Sequence, residues 1–334
     1  MVWIRAHYKG IGLALAVAAA GYLLGMAFPL VGGPVFGILL GITAGNVFGR
    51  PGGTEAGLRF ASKNILQYAM VALGGGLSLT QILDTGAASL SVMLFTILTA
   101  FLAAGLLGRL MKVPRKLTSL IGVGTAICGG SAIAAVAPVI AAEEQEIAYS
   151  VSVIFLFNII AVLVFPPAGR LMGLSDRAFG LWAGTAVNDT SSVVAAGYAY
   201  ADSAGAYATI VKLTRSTMII PVTLAFAIAE YVRKRKTGVG GQVSYSVKNT
   251  FPWFIFWFLG TALLNTFGVI TPAGAKMCTE IGKGMIVLAL SAIGLCSDVK
   301  EMVKTGFKPI LLGAGAWVAV AAVSLAVQWI TGQM

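Results

Sequence analysis

Apolar residues run along this chain in blocks of roughly twenty, the length a helix needs to cross the hydrocarbon core of a bilayer, with the polar residues gathered between them. Eleven such blocks fall at about residues 10–29, 33–48, 62–83, 86–108, 117–142, 147–168, 178–198, 206–232, 251–270, 281–298 and 309–330. The pattern predicts an all-α polytopic membrane protein with one integral membrane domain over residues 1–334. The longest polar stretch, 233–249, reads as a cytoplasmic loop. Two blocks, 117–142 and 178–198, break the pattern at their midpoints. The first carries Gly124-Thr125-Ala126-Ile127-Cys128-Gly129-Gly130-Ser131, and sixty positions on the second carries Gly184-Thr185-Ala186-Val187-Asn188-Asp189-Thr190-Ser191. Backbone that leaves helical geometry in hydrocarbon strands its N–H and C=O groups, so such segments survive only against buried protein or a water-filled cavity.

A second echo links Ala72-Leu73-Gly74-Gly75-Gly76-Leu77, followed by Thr85-Gly86, with Leu290-Ser291-Ala292-Ile293-Gly294-Leu295, followed by Thr305-Gly306. An odd number of blocks separates the two copies, so they run in opposite directions, as inverted repeats do. The two interrupted blocks are either full crossings with an unwound middle or re-entrant hairpins. As crossings they run parallel; as hairpins one span apart they enter from opposite faces. Charge favours broken crossing helices, because that choice puts Arg170 and Arg177 inside and the Glu143-Glu144-Gln145-Glu146 run outside.

Composition agrees with the pattern: 58% of residues are hydrophobic, 10% are charged and the mean hydropathy is +0.90. A net charge of +11 in a soluble protein would suggest nucleic acid. Here most of the 23 Lys and Arg fall in alternate loops, as the positive-inside rule requires, with the N-terminus cytoplasmic and the C-terminus external. Arg5 and Lys9 precede the first apolar block like a signal peptide, but no cleavage site closes it, so it reads as a retained helix. Cys128, Cys278 and Cys296 have no metal spacing and form no disulfide framework, and the single histidine, His7, removes most metal and histidine-base chemistry. No cofactor and no metal are expected.

Asp189 is the one acidic residue near the middle of a block, where an ionised carboxylate costs at least about 2.5 kcal/mol unless paired or hydrated. Lys212 and Arg215 lie three residues apart on one face of the eighth block. Lys212 can snorkel outward, whereas Arg215 is too deep and offers forked donors for a carboxylate or an oxyanion. A helix restarting at Ser131 would aim backbone N–H groups and a positive dipole end into the cavity, with Gly124, Gly129 and Gly130 allowing close approach. Thr125 and Ser131, mirrored by Thr185, Asn188, Thr190 and Ser191, supply further polar groups. Cys128 reads as a small buried filler, and Asn158, Asn64 and Gln67 as interhelical hydrogen-bonding residues.

In order and spacing, the two Gly-Thr-Ala phrases and Val211-Lys212-Leu213-Thr214-Arg215 resemble the YeiH-type family of bacterial inner-membrane proteins, to which sulfate export is ascribed. The resemblance covers almost the whole chain. It implies a secondary transporter related to the cation/proton antiporter and anion transporter superfamily, with inverted repeats and crossed, broken helices. Asn188-Asp189 also resembles the Asn-Asp pair of electroneutral sodium/proton antiporters. One departure is that a five-plus-five repeat does not map onto eleven blocks whose interrupted members are only two apart.

The leading expectation is a non-enzymatic transporter exporting a small inorganic oxyanion such as sulfate or sulfite by alternating access. Thr125, Gly129, Gly130, Ser131, Thr185, Asn188, Thr190, Ser191, Lys212 and Arg215 would bind the anion, and Asp189 with Asn188 would couple it to H⁺ or Na⁺. The alternatives are a cation/proton antiporter using Asn188-Asp189 and a passive anion channel. A serine hydrolase at Ser131 lacks an activating histidine. The small-residue faces also permit a homodimer.

Overall fold

The computed structural model describes residues 2–28, 32–237, 253–298 and 306–334. Among these every regular element is helical. In chain order they are α1 (Val2–Ala27), α2 (Gly33–Val47), α3 (Glu55–Phe60), a π-helical turn (Ala61–Ile65), α4 (Leu66–Gly74), α5 (Leu79–Leu110), α6 (Arg115–Ala126), α7 (Gly130–Val136) and α8 (Glu144–Leu171). There follow α9 (Asp176–Ala186), α10 (Thr190–Tyr200), α11 (Asp202–Thr217), α12 (Ile219–Thr237), α13 (Phe254–Thr266), α14 (Pro272–Cys296) and α15 (Phe307–Ile330). Six stretches are long and apolar enough to cross a membrane, and α2 and α13 are shorter apolar helices. This is a multi-pass membrane protein. Of the loop predicted at 233–249, residues 233–237 continue α12 and the rest lies outside the described residues.

The helices are apolar on more than one side because lipid covers what protein does not. On α5, Leu94, Leu98, Leu102 and Leu106 face outward while Val92, Met93, Ala100 and Ala104 pack inward. Where helices meet, small residues let backbones approach. A Cβ on Gly41 of α2 would lie 2.9 Å from the Leu295 nitrogen of α14.

Both interrupted segments are re-entrant hairpins, which corrects the expectation of broken crossing helices. At the base of the first, Lys116 Nζ donates to the Ala141 carbonyl (2.7 Å), so its two ends share one face of the molecule. Arg115, Glu143, Glu146 and, from α12, Arg233 line a cavity of about 690 Å³ at that same face. At the base of the second, Tyr200 Oη donates to the Leu174 carbonyl (2.5 Å), Arg170 donates to the Ala199 carbonyl (2.7 Å), and Ser203 Oγ bonds Asp176. The long helix α8 crosses between the two bases, so the hairpins enter from opposite faces. Hence Arg170 and Arg177 lie on the face opposite Arg115, and the Glu143 run shares Arg115's face, the reverse of the charge-based placement.

The reversal has a local cause. The arms α6 and α9 have 12 and 11 residues, about 18 and 16 Å of helix, and so reach little beyond the middle of a core about 30 Å thick. The chain then leaves helical geometry at Ile127 (φ −123°, ψ −91°) and Gly129 (φ 68°, ψ −124°), and at Val187 and Asp189, which are extended. Each hairpin is followed by a crossing stretch, α8 after the first and α11–α12 after the second. The sixty-residue echo is therefore two consecutive hairpin-plus-crossing units of opposite orientation. Glycines seat the second unit: a Cβ on Gly197 of α10 would lie 2.8 Å from Gly205 Cα of α11.

Candidate functional site

The hairpin tips, at residues 127–129 and 187–189, meet in the interior beside α11. The descending arms α6 and α9 end there, and a helix end leaves its last carbonyls unpaired with a partial negative charge. Lys212 and Arg215, both fully buried on one face of α11, take those carbonyls. Lys212 Nζ donates to Ile127 O (2.7 Å) and Val187 O (3.0 Å). Arg215 donates through Nε to Ala126 O (2.7 Å), through Nη2 to Thr125 O (2.8 Å) and through Nη1 to Thr185 O. Two cations thus bond five carbonyls and tie both hairpins to one helix. This differs from the expectation that they greet an anion, and from snorkelling for Lys212: their donors are engaged with backbone.

The returning arms begin on the other side of the tips. The N-termini of α7 and α10, with their unpaired N–H groups and positive dipole ends, border a cleft of about 360 Å³. Gly130, Ser131, Asp189, Thr190 and Ser191 line it, facing Ser62, Lys63 and Gln67. Asp189 is partly exposed and caps α10, its Oδ2 accepting the Ser191 N–H (2.9 Å) and also the Ser191 hydroxyl. Among the described residues the ion pairs within 4.0 Å are Arg233–Glu230, Lys283–Asp202 and Lys283–Glu280, so Asp189 and Lys63 belong to none. The static pair of Asp189 with Lys212 or Arg215 is absent among them.

The structure separates the ten predicted binding residues into two groups. Gly130, Ser131, Thr190 and Ser191 reach the cleft with Asp189, and Gly129 packs against the Asp189 backbone. Thr125, Thr185, Asn188, Lys212 and Arg215 are buried at or behind the tips. The Thr185 hydroxyl bonds Leu181 O and Ser324 Oγ (both 2.7 Å). By contrast, Thr125 Oγ1 and both amide atoms of Asn188 are buried without a partner. Cys128 is buried within the hydrophobic core around the hairpins, as a filler should be. Asn158 of α8 does hold helices together: its Oδ1 accepts the Asp189 N–H (3.1 Å), leaving Nδ2 unpartnered.

Ser62, Lys63 and Gln67 escaped the sequence reading as site residues. Gln67 was taken for an interhelical contact and Lys63 for a loop charge. What brings Ser62 and Lys63 inward is the π-helical turn at Ala61–Ile65, a distortion common at functional sites that has no signature in apolar periodicity.

The family model described as conserved hypothetical protein 698 matches residues 9–313. Among similar proteins, a UPF0324 membrane protein of Streptococcus mutans is 44% identical over 333 residues, covering 97% of each chain. One from Fusobacterium nucleatum is 43% identical, covering 97% of this chain and 98% of its own. One from Clostridium tetani is 41% identical over the whole of both chains. No solved structure matches.

Proposed function

From the premise that the chain belongs to the conserved hypothetical protein 698 family, whose relatives are named as membrane proteins, we propose that it is a secondary transporter exporting a small oxyanion such as sulfate or sulfite. One observation carries the reading: two half-helix N-termini, with Ser131, Thr190 and Ser191, border a single interior cleft that also holds Lys63. Such ends bind anions through oriented N–H groups and the dipole field. Lys212 and Arg215 support the site indirectly by neutralising the opposite, carbonyl ends of the broken arms. Hairpins entering from opposite faces provide a gate on each side, as alternating access demands. Asp189, ionisable at the cleft wall, is the coupling residue. The basic face around Lys9, Lys112 and Arg115 is cytoplasmic, the host membrane is the bacterial inner membrane, and no catalysis is involved. The likeness to the YeiH-type sulfate exporters belongs to this same reading.

Proteoliposomes loaded with labelled sulfate or sulfite test it, with and without an imposed pH or sodium gradient. Saturable transport against the anion gradient, lost in Asp189→Asn, is the expected result; flux that never exceeds passive equilibration makes the protein a channel. A second reading, cation/proton antiport at Asn188-Asp189, draws on the absence of an ion pair at Asp189 among the described residues. Sodium or proton exchange that needs Asp189 while no anion moves would decide for it.

A further inference from the structure

The anion reading leaves open how the carboxylate and the substrate share one cleft, and the geometry bears on this directly. Asp189 Oδ2 sits on the N-terminus of the eleven-residue helix α10, accepting the Ser191 N–H and hydroxyl, so the protein's own carboxylate occupies donors that an incoming anion would use. A second observation points to a missing ligand at this tip. Asn158, 2% exposed and bonded to the Asp189 N–H, has an unpartnered Nδ2, and the amide of Asn188, 1% exposed, is unpartnered at both ends.

Resting on the proposed function, we infer that Asp189 is a tethered competitor of the substrate, so that a proton and the anion enter the cleft together. Ionised, the carboxylate holds the Ser191 donors and repels a second negative charge. Protonated, it carries one proton on a carboxyl oxygen, loses its charge and yields the Ser191 donors to the anion. The charges around it cannot substitute for that proton. Lys212 and Arg215 of α11 are held on carbonyls, Lys63 of the π-helical turn stays in the cleft in both states, and Cys128 is buried at the facing tip. From α8, α13 and α14 the cleft receives Phe155, Phe254 and Ile293, which do not titrate. Proton and anion therefore favour each other's binding, and by linkage they move in the same direction.

Sulfate binding to the purified full-length protein, measured by equilibrium dialysis across about pH 5 to 8, tests the inference because sulfate stays a dianion there and any pH dependence belongs to the protein. The wild type should lose affinity by about tenfold per pH unit on its alkaline limb. Asp189→Asn and Asp189→Ser, both competent helix caps, should hold the acid-limb affinity at every pH. Affinity independent of pH in the wild type, or a pH slope that survives in both variants, overturns the inference while leaving the anion site standing. No sulfate binding at any pH in any of the three proteins removes the anion site and the inference with it.

Discussion

Lys212 and Arg215 are the deepest charged residues of α11, and what they touch decides how their mutants behave. Removing one member of a buried, hydrogen-bonded charge arrangement costs about 3–5 kcal/mol, because the partners stay buried without compensation. Arg215→Met frees three carbonyls at the ends of α6 and α9, so it should lower the melting temperature in detergent strongly. If Arg215 instead bound substrate directly, the variant would melt like wild type and lose only anion affinity. Lys63→Gln should do the opposite: little change in melting, since Lys63 is exposed, and weaker anion binding that Lys63→Arg restores. Asn158→Leu removes the acceptor for the Asp189 N–H and should cost about 1–3 kcal/mol of stability together with transport, read by thermal melting and by flux.

At the scale of the element, the hairpins rest on a backbone reversal that side chains oppose. Gly129 has φ 68° and ψ −124°, outside the regions open to L-residues, and a Cβ there would lie 3.2 Å from Ile154. Gly129→Ala is therefore expected to destabilise by about 1–3 kcal/mol, measurable as a fall in melting temperature. Topology itself is open to labelling. In a cysteine-free background, single cysteines at Arg115 and Glu143 should react with an impermeant thiol reagent from one face, and cysteines at Asp176 and Ser203 from the other. Labelling of Arg115 and Glu143 from different faces would restore the broken crossing helix. Charge pointed the wrong way here because the positive-inside bias is a sum over loops. Moving Arg170, Arg177 and the Glu143 run between faces leaves the large basic cluster where it was.

Across the whole molecule, apolar block length alone located the helices, since a bilayer about 30 Å thick imposes the same requirement on every crossing segment. The interruptions were equally legible as local departures from that rule, and Gly130, Ser131, Asp189, Thr190 and Ser191 were found through them. Whether a broken segment continues or turns back depends on contacts far apart in sequence. Lys212 lies 85 residues from Ile127 and Arg215 lies 90 from Thr125, and no local pattern encodes those pairings. The same holds for Lys63, which a single π-helical turn carries from an apparent loop into the cleft. The sequence by itself thus determined a helical membrane protein with two polar interruptions, because hydrophobic length and backbone polarity act residue by residue. Only the tertiary structure decided that the interruptions are opposed hairpins, that the buried cations belong to helix ends and that Asp189 faces a cleft, because each depends on which distant groups satisfy one another's hydrogen bonds and charges.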